Sequence, residues 1–178
     1  YNTASGYNSL RNNTTATYNT ASGYDTLRAN TTGCRNNAFG AYSLDSNTTG
    51  ILNYAFGYGA LFSNTTGNRN TASGYKTMYC NATGIENTAY GDQALFRNTS
   101  NYNTAIGFRT LICNTYGNSN TGLGYQALYY NATGGYNTAM GYQALYNNTT
   151  GRNTAFGIVA GYYTTTGTNN TALGDNSL

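Results

Sequence analysis

An Asn-Thr-Ala-x-Gly phrase returns down the chain at a nearly fixed interval, with its glycine at Gly6, Gly23, Gly40, Gly57, Gly74, Gly91, Gly107, Gly124, Gly141, Gly157 and Gly174. Eight of the ten intervals are 17 residues and two are 16. A period this short and regular means that one small backbone unit is repeated, and that each unit buries its apolar side against the next. Function is therefore expected on a long regular surface rather than in a single pocket.

Counting from the Asn of the phrase as position one, the consensus reads N-T-A-x-G-Y-x-A-L-x-x-N-T-T-G-x-x. Coils begin near Asn2, Asn19, Asn36, Asn53, Asn70, Asn87, Asn103, Asn120, Asn137, Asn153 and Asn170, so residues 1–178 read as a single repeat array. The array is expected to be uncapped, because Tyr1 opens mid-unit and Leu178 stands at the ninth position of a unit. Open terminal coils would present strand edges that template further pairing. The third unit has Ala41 where most carry Tyr, and the fifth has Met78 in the Leu column. The tenth unit departs most, with Gly161 in the Leu column and Thr164 in the second Asn column. That coil is expected to bulge or shift register.

Helical-hairpin repeats need more than about 30 residues, and glycine at the fifth and fifteenth positions opposes helix. Two short strands of about five residues, each closed by a turn, fill the period, with Asn-Thr-Thr-Gly supplying the turn chemistry. The expected fold is all-β: a parallel β-solenoid, or β-roll, of about eleven 17-residue coils with two short strands per coil. Coils stacked about 4.8 Å apart would make a rod roughly 50 Å long.

Strand alternation separates positions two, four and six from positions three and five. Position four runs through Phe39, Phe56, Tyr90, Ile106, Leu123, Met140 and Phe156, with Ser5, Ser22 and Ser73 in three units. Together with the Leu column it reads as the interior. The Ala/Gly face has two readings: a contact with another subunit, or the inward face of a coil too narrow for larger side chains. Position six holds Tyr7, Tyr24, Tyr58, Tyr75, Tyr125 and Tyr142, with Phe108 in the same column. One-coil spacing lets such rings stack, either packed beneath the turns or displayed as a glycan- or surface-binding strip. The first Asn column, Asn19, Asn36, Asn53, Asn70, Asn87, Asn103, Asn120, Asn137, Asn153 and Asn170, is expected to form a structural hydrogen-bond ladder.

The second Asn column creates Asn-x-Thr/Ser sequons at Asn13, Asn30, Asn47, Asn64, Asn81, Asn98, Asn131 and Asn148. These are either glycosylation acceptors or plain turn chemistry. Cys80 and Cys113 share position eleven but lie two coils apart, roughly 9–10 Å against a bridging limit of about 7 Å. With Cys34 at another corner, the three read as inert thiols or as links between chains.

Chemistry has little to work with. The chain has no His, and its five acids, Asp25, Asp45, Glu86, Asp92 and Asp175, share no column. Nucleophiles lack a base, and no metal-ligand spacing occurs, so neither an enzyme nor a cofactor is expected. The eight basic residues are scattered singly, whereas nucleic-acid binding needs clustered positive charge. No apolar run approaches the roughly 20 residues of a membrane span.

The phrases Asn103–Gly107 and Asn137–Gly141 resemble the Asn-Ser-Val-Ala-Ile-Gly repeat of trimeric autotransporter adhesin heads. The fuller unit is similar to repeats of phage tail-fibre-like and bacterial surface proteins. The resemblance implies a left-handed parallel β-roll and a fibrous, usually trimeric protein of the cell or virion surface. The expected function is a structural subunit or shaft segment of an extracellular filament, associating with copies of itself as a trimer or end-to-end polymer. A glycan- or surface-binding adhesin is the alternative. Ice binding by the Thr3, Thr20, Thr71, Thr88, Thr104 and Thr138 column is less favoured, because no second outward Thr column accompanies it on the strand.

Overall fold

A computed structural model of the chain describes residues 1–178 and contains no helix. It is a parallel β-solenoid. Eleven strands, from β1 (Thr3–Ser5) to β11 (Thr171–Leu173), form one sheet whose order follows the chain. Pairing is in register throughout, as in Thr20↔Asn37, Ala21↔Ala38 and Ser22↔Phe39. No helix is long and apolar enough to cross a membrane.

Each coil holds one strand of three residues rather than two of five. Where the second strand was expected, the chain makes a series of turns that still bonds coil to coil. Leu10 N–H donates to the Thr26 carbonyl at 3.1 Å and Asn12 N–H to that of Arg28 at 3.0 Å. The cause is backbone handedness. Positions seven, nine and seventeen take left-handed φ in successive coils, for example Gln93 at 55°, Leu95 at 51° and Tyr102 at 62°. A chain that reverses φ every second residue cannot run as an extended strand.

Leucine in that conformation is uncommon, yet the Leu column adopts it with φ between 50° and 54° from Leu10 to Leu145. The left-handed backbone costs about 1–2 kcal/mol per residue. Burying the side chain returns about 1.5–3 kcal/mol, and the N–H of Leu95 also bonds the Thr110 carbonyl at 3.0 Å. Burial therefore tips the balance. Glycine at position five has no such option. Gly91 sits at φ 128°, and a Cβ there would stand 2.5 Å from the Gly107 carbonyl oxygen.

The core is a double column of position three, Ala except for Gly122, and position nine, Leu except for Met78, both almost fully buried from coil two through coil nine, with Ala, Ser or Thr at position eight between them. Position four, expected inside, is outside: Phe39, Phe56, Tyr90 and Ile106 keep 39%, 42%, 44% and 40% of their surface exposed. A three-residue strand points only its middle side chain inward, and opposite a leucine the narrow coil has room for a methyl. The Ala side is therefore the interior rather than a subunit contact.

The tenth coil neither bulges nor slips. Gly161 reproduces the leucine conformation at φ 64°, its N–H reaches the Ser177 carbonyl at 2.7 Å, and Thr154 still faces Thr171.

Candidate functional site

Two asparagine spines run inside the rod. In the first, Asn53 N–H donates to Asn36 Oδ1 at 2.9 Å, and Asn70 N–H to Asn53 Oδ1 at 3.0 Å. The same pattern links Asn19, Asn87, Asn103, Asn120, Asn137, Asn153 and Asn170. From Asn19 to Asn153 each Nδ2 closes its own coil on the position-fifteen carbonyl, as Asn53 does on Gly67 at 2.8 Å.

The second spine consists of the sequon asparagines together with Asn114, which links Asn98 to Asn131. Asn47 Nδ2 donates to Asn30 Oδ1, and Asn64 Nδ2 to Asn47 Oδ1, both at 2.8 Å. Asn30, Asn47, Asn64, Asn81, Asn98, Asn131 and Asn148 are fully buried, while Asn13 in the first coil is half-buried. Of the two readings of these sequons, the burial favours turn and ladder chemistry over glycosylation. A sugar on Nδ2 would remove a ladder donor and has no space inside a closed coil.

The two 16-residue coils omit position fourteen and put a hydroxyl residue where others have glycine. Ser100 O accepts the amides of Asn87 and Asn98, and its Oγ donates to Gly117 O at 2.7 Å. Thr150 repeats this with Asn137, Asn148 and Gly167 O. The missing residue is thus bridged by one side-chain bond.

Outward, the rod carries columns of like side chains. The position-six rings stand at the surface rather than beneath the turns: Tyr7 and Tyr24 stack at 5.1 Å, and Tyr125 and Tyr142 at 5.1 Å with planes 5° apart. Ala41 interrupts the column, but Tyr42 one residue on fills the gap edge-on to Tyr24 and Tyr58, at 5.4 Å and 5.6 Å. In position four, Phe39 and Phe56 stack at 5.1 Å. A further ladder at position ten was missed from sequence: Phe62, Tyr79 and Phe96 stack at 4.8 Å and 5.4 Å, and Tyr129, Tyr146 and Tyr162 at 5.0 Å and 5.1 Å. Burial, then the neighbouring tyrosines, pushes the Tyr146 hydroxyl up to about 12.

Charges also pair down columns. Arg28 contacts Asp45 at 2.9 Å, Arg69 contacts Glu86 at 2.9 Å, and Asn8 Nδ2 donates to Asp25 at 2.8 Å. Each pair is 17 residues apart. Burial raises the Asp45 pKa above the usual carboxylate value, and the Arg28 pairing offsets part of the rise. The three cysteines are free and partly covered. Burial raises the thiol pKa of Cys80 and Cys113, and Arg97 between them offsets part of it. No group of three or more acidic, Cys or His side chains gathers anywhere on the rod.

No protein-family model, curated protein or solved structure matches the chain.

Proposed function

We propose that this chain is a shaft segment of an extracellular or virion-surface fibre, and that it acts by associating laterally with copies of itself. The carrying observation is the outward position-four column. Phe39, Phe56, Tyr90, Ile106, Leu123 and Phe156 stand exposed in register, while methyl groups fill the interior. Contiguous exposed apolar surface on a soluble protein marks an interaction site. A second copy offers the same column at the same coil spacing, so rung can meet rung from Phe39 to Phe156, with Ser73 the one polar rung between. The resemblance of the Asn-Thr-Ala-x-Gly phrase to trimeric adhesin heads supports a three-rod bundle.

Sedimentation and small-angle scattering test the reading. The expected result is an elongated oligomer that dissociates when Phe39, Phe56, Ile106 and Phe156 are replaced by the serine already present at Ser5, Ser22 and Ser73. A parent chain that stays monomeric at high concentration overturns it.

Adhesion is the second reading, supported by the exposed stack of Tyr58 and Tyr75, whose centroids are 5.6 Å apart. Identical weak sites along a rod gain avidity through effective concentration. A glycan-array screen with assembled rods that shows no binding removes it.

A further inference from the structure

On the side of the rod formed by positions fourteen to seventeen, one stretch differs from the rest. An open groove of about 410 Å³ crosses coils seven to ten, lined among others by Tyr116, Asn118, Gly135, Tyr136, Gly151 and Arg152. Its origin lies in the sequence. Position sixteen carries a side chain in the other full coils, but coils eight and nine have Gly135 and Gly151 there.

Elsewhere that side chain has a task. Asn68 Oδ1 accepts the N–H of Ile51 at 2.8 Å, Asn101 that of Ile85 at 2.9 Å, and Asn118 that of Asn101 at 3.1 Å. The side chain at position sixteen of one coil thus caps the position-sixteen amide of the coil before it. Glycine ends the series. The N–H groups of Asn118 and Gly135 have no partner within the chain. A Cβ at residue 135 would stand 3.0 Å from the Asn118 carbonyl oxygen and 3.5 Å from its nitrogen, and one at residue 151 would crowd the Gly135 carbonyl oxygen and stand 3.2 Å from the Gly135 nitrogen, so the groove runs past both amides and the carbonyls next to them. The amides of Cys34, Asn68 and Gly151 are also without partners, but there the next coil sets Ile51, Ile85 and Thr168 in the capping position.

Neither glycine has a left-handed φ; Gly135 has just enough room for a Cβ, whereas one at residue 151 would crowd the Gly135 carbonyl oxygen. Two exposed rings, Tyr116 at 70% and Tyr136 at 66%, flank the gap. Arg152 is exposed at its edge and has no carboxylate partner within the chain.

We propose that this groove binds a carboxylate-bearing sugar unit of an acidic glycan. A carboxylate oxygen takes the place that Asn Oδ1 fills in other coils and accepts the N–H of Asn118, and a ring hydroxyl of the same sugar, about one coil spacing away, accepts the N–H of Gly135. The Arg152 guanidinium supplies the opposite charge. The sugar ring lies against Tyr136 or Tyr116, whose rings offer apolar faces beside water. The site lies on different positions from the outward columns and is present in a single chain, so it holds whether or not rods associate.

Residue-resolved hydrogen–deuterium exchange on the full chain tests this, with trigalacturonate as the probe and maltotriose and a short acidic peptide as comparisons. Trigalacturonate is expected to slow exchange of the Asn118 and Gly135 amides at least fivefold. Arg152→Gln is expected to weaken calorimetric binding at least fivefold. Gly135→Asn, which restores the cap used in coil seven, is expected to abolish it. The proposal is overturned if those two amides are unaffected, if maltotriose or the peptide protects them equally, or if Arg152→Gln binds as well as the parent. Sedimentation of the same samples reports rod association separately.

Discussion

The side-chain amides of Asn36 and Asn47 converge on a single acceptor, donating to the Gly50 carbonyl oxygen at 2.8 Å and 3.1 Å. One belongs to the first asparagine spine and the other to the second. Their shared acceptor closes each coil from within. A buried amide in this position satisfies its own coil and the neighbouring one at once, which explains why asparagine fills both columns so consistently.

Replacing one such residue should be costly. Asn64 donates to Asn47 and Gly67 and accepts from Asn81, all inside the rod. Asn64→Ala is expected to lose about 2–4 kcal/mol, because the deletion strands buried partners as well as removing bonds. The exposed neighbour variant Thr66→Ala should stay within about 0.5 kcal/mol of the parent. Shifts in the urea midpoint compare the two.

Burial of the second spine predicts the outcome of secretory expression. Folded protein is expected to carry no sugar at Asn30, Asn47, Asn64, Asn81, Asn98, Asn131 or Asn148, since each is enclosed. Intact mass should equal that of the bare chain at these sites. Folded rods with sugar there, located by peptide mapping, would contradict the interior placement.

Asp45 has its pKa raised in the fold, with burial outweighing Arg28. A raised carboxylate favours the protonated folded form. Its stabilising share is complete below the unfolded pKa and is lost as pH rises through the folded one. Asp45→Asn should therefore flatten the stability profile just above the ordinary carboxylate range and cost nothing at neutral pH. Thermal unfolding between pH 3 and 7 measures this, and a large loss at pH 7 would show that the Arg28 pair dominates instead.

Tyr146 behaves likewise at the alkaline end. Its hydroxyl ionises near 12 in the fold, through burial and then the adjoining tyrosines, against about 10 when unfolded. Stability should fall as pH climbs from about 10 towards 12, where unfolded tyrosine is already ionised. Ultraviolet titration is expected to show a late-ionising tyrosine that Tyr146→Phe removes.

The period, the parallel stacking and the first asparagine ladder were legible in the chain because each follows from a residue type returning at one spacing. Other features needed the backbone. Leu95 and Gln93 give no sequence sign of a left-handed φ, so the turns beyond the strand read as a second strand. Phe39 and Ile106 looked like core because apolar side chains usually are. Only the width of the coil shows that Ala38 and Ala105 fill it. Some signals were present but unused. Arg28 and Asp45, Arg69 and Glu86, and Phe62 and Tyr79 are each one period apart, which places them side by side once the coil is known. The roles of Ser100 and Thr150 were hidden, because a hydroxyl standing in for a glycine shows its purpose only beside the carbonyls of Gly117 and Gly167.

Because almost every contact joins a coil only to its immediate neighbours, whole coils are interchangeable parts. Gaining or losing one complete unit leaves both new neighbours with the partners they need, whereas a partial unit leaves the spines broken unless a Ser100-like patch repairs it. Copy-number change in the gene then becomes a ruler: the solenoid can lengthen or shorten in steps of about 4.8 Å without any residue being redesigned.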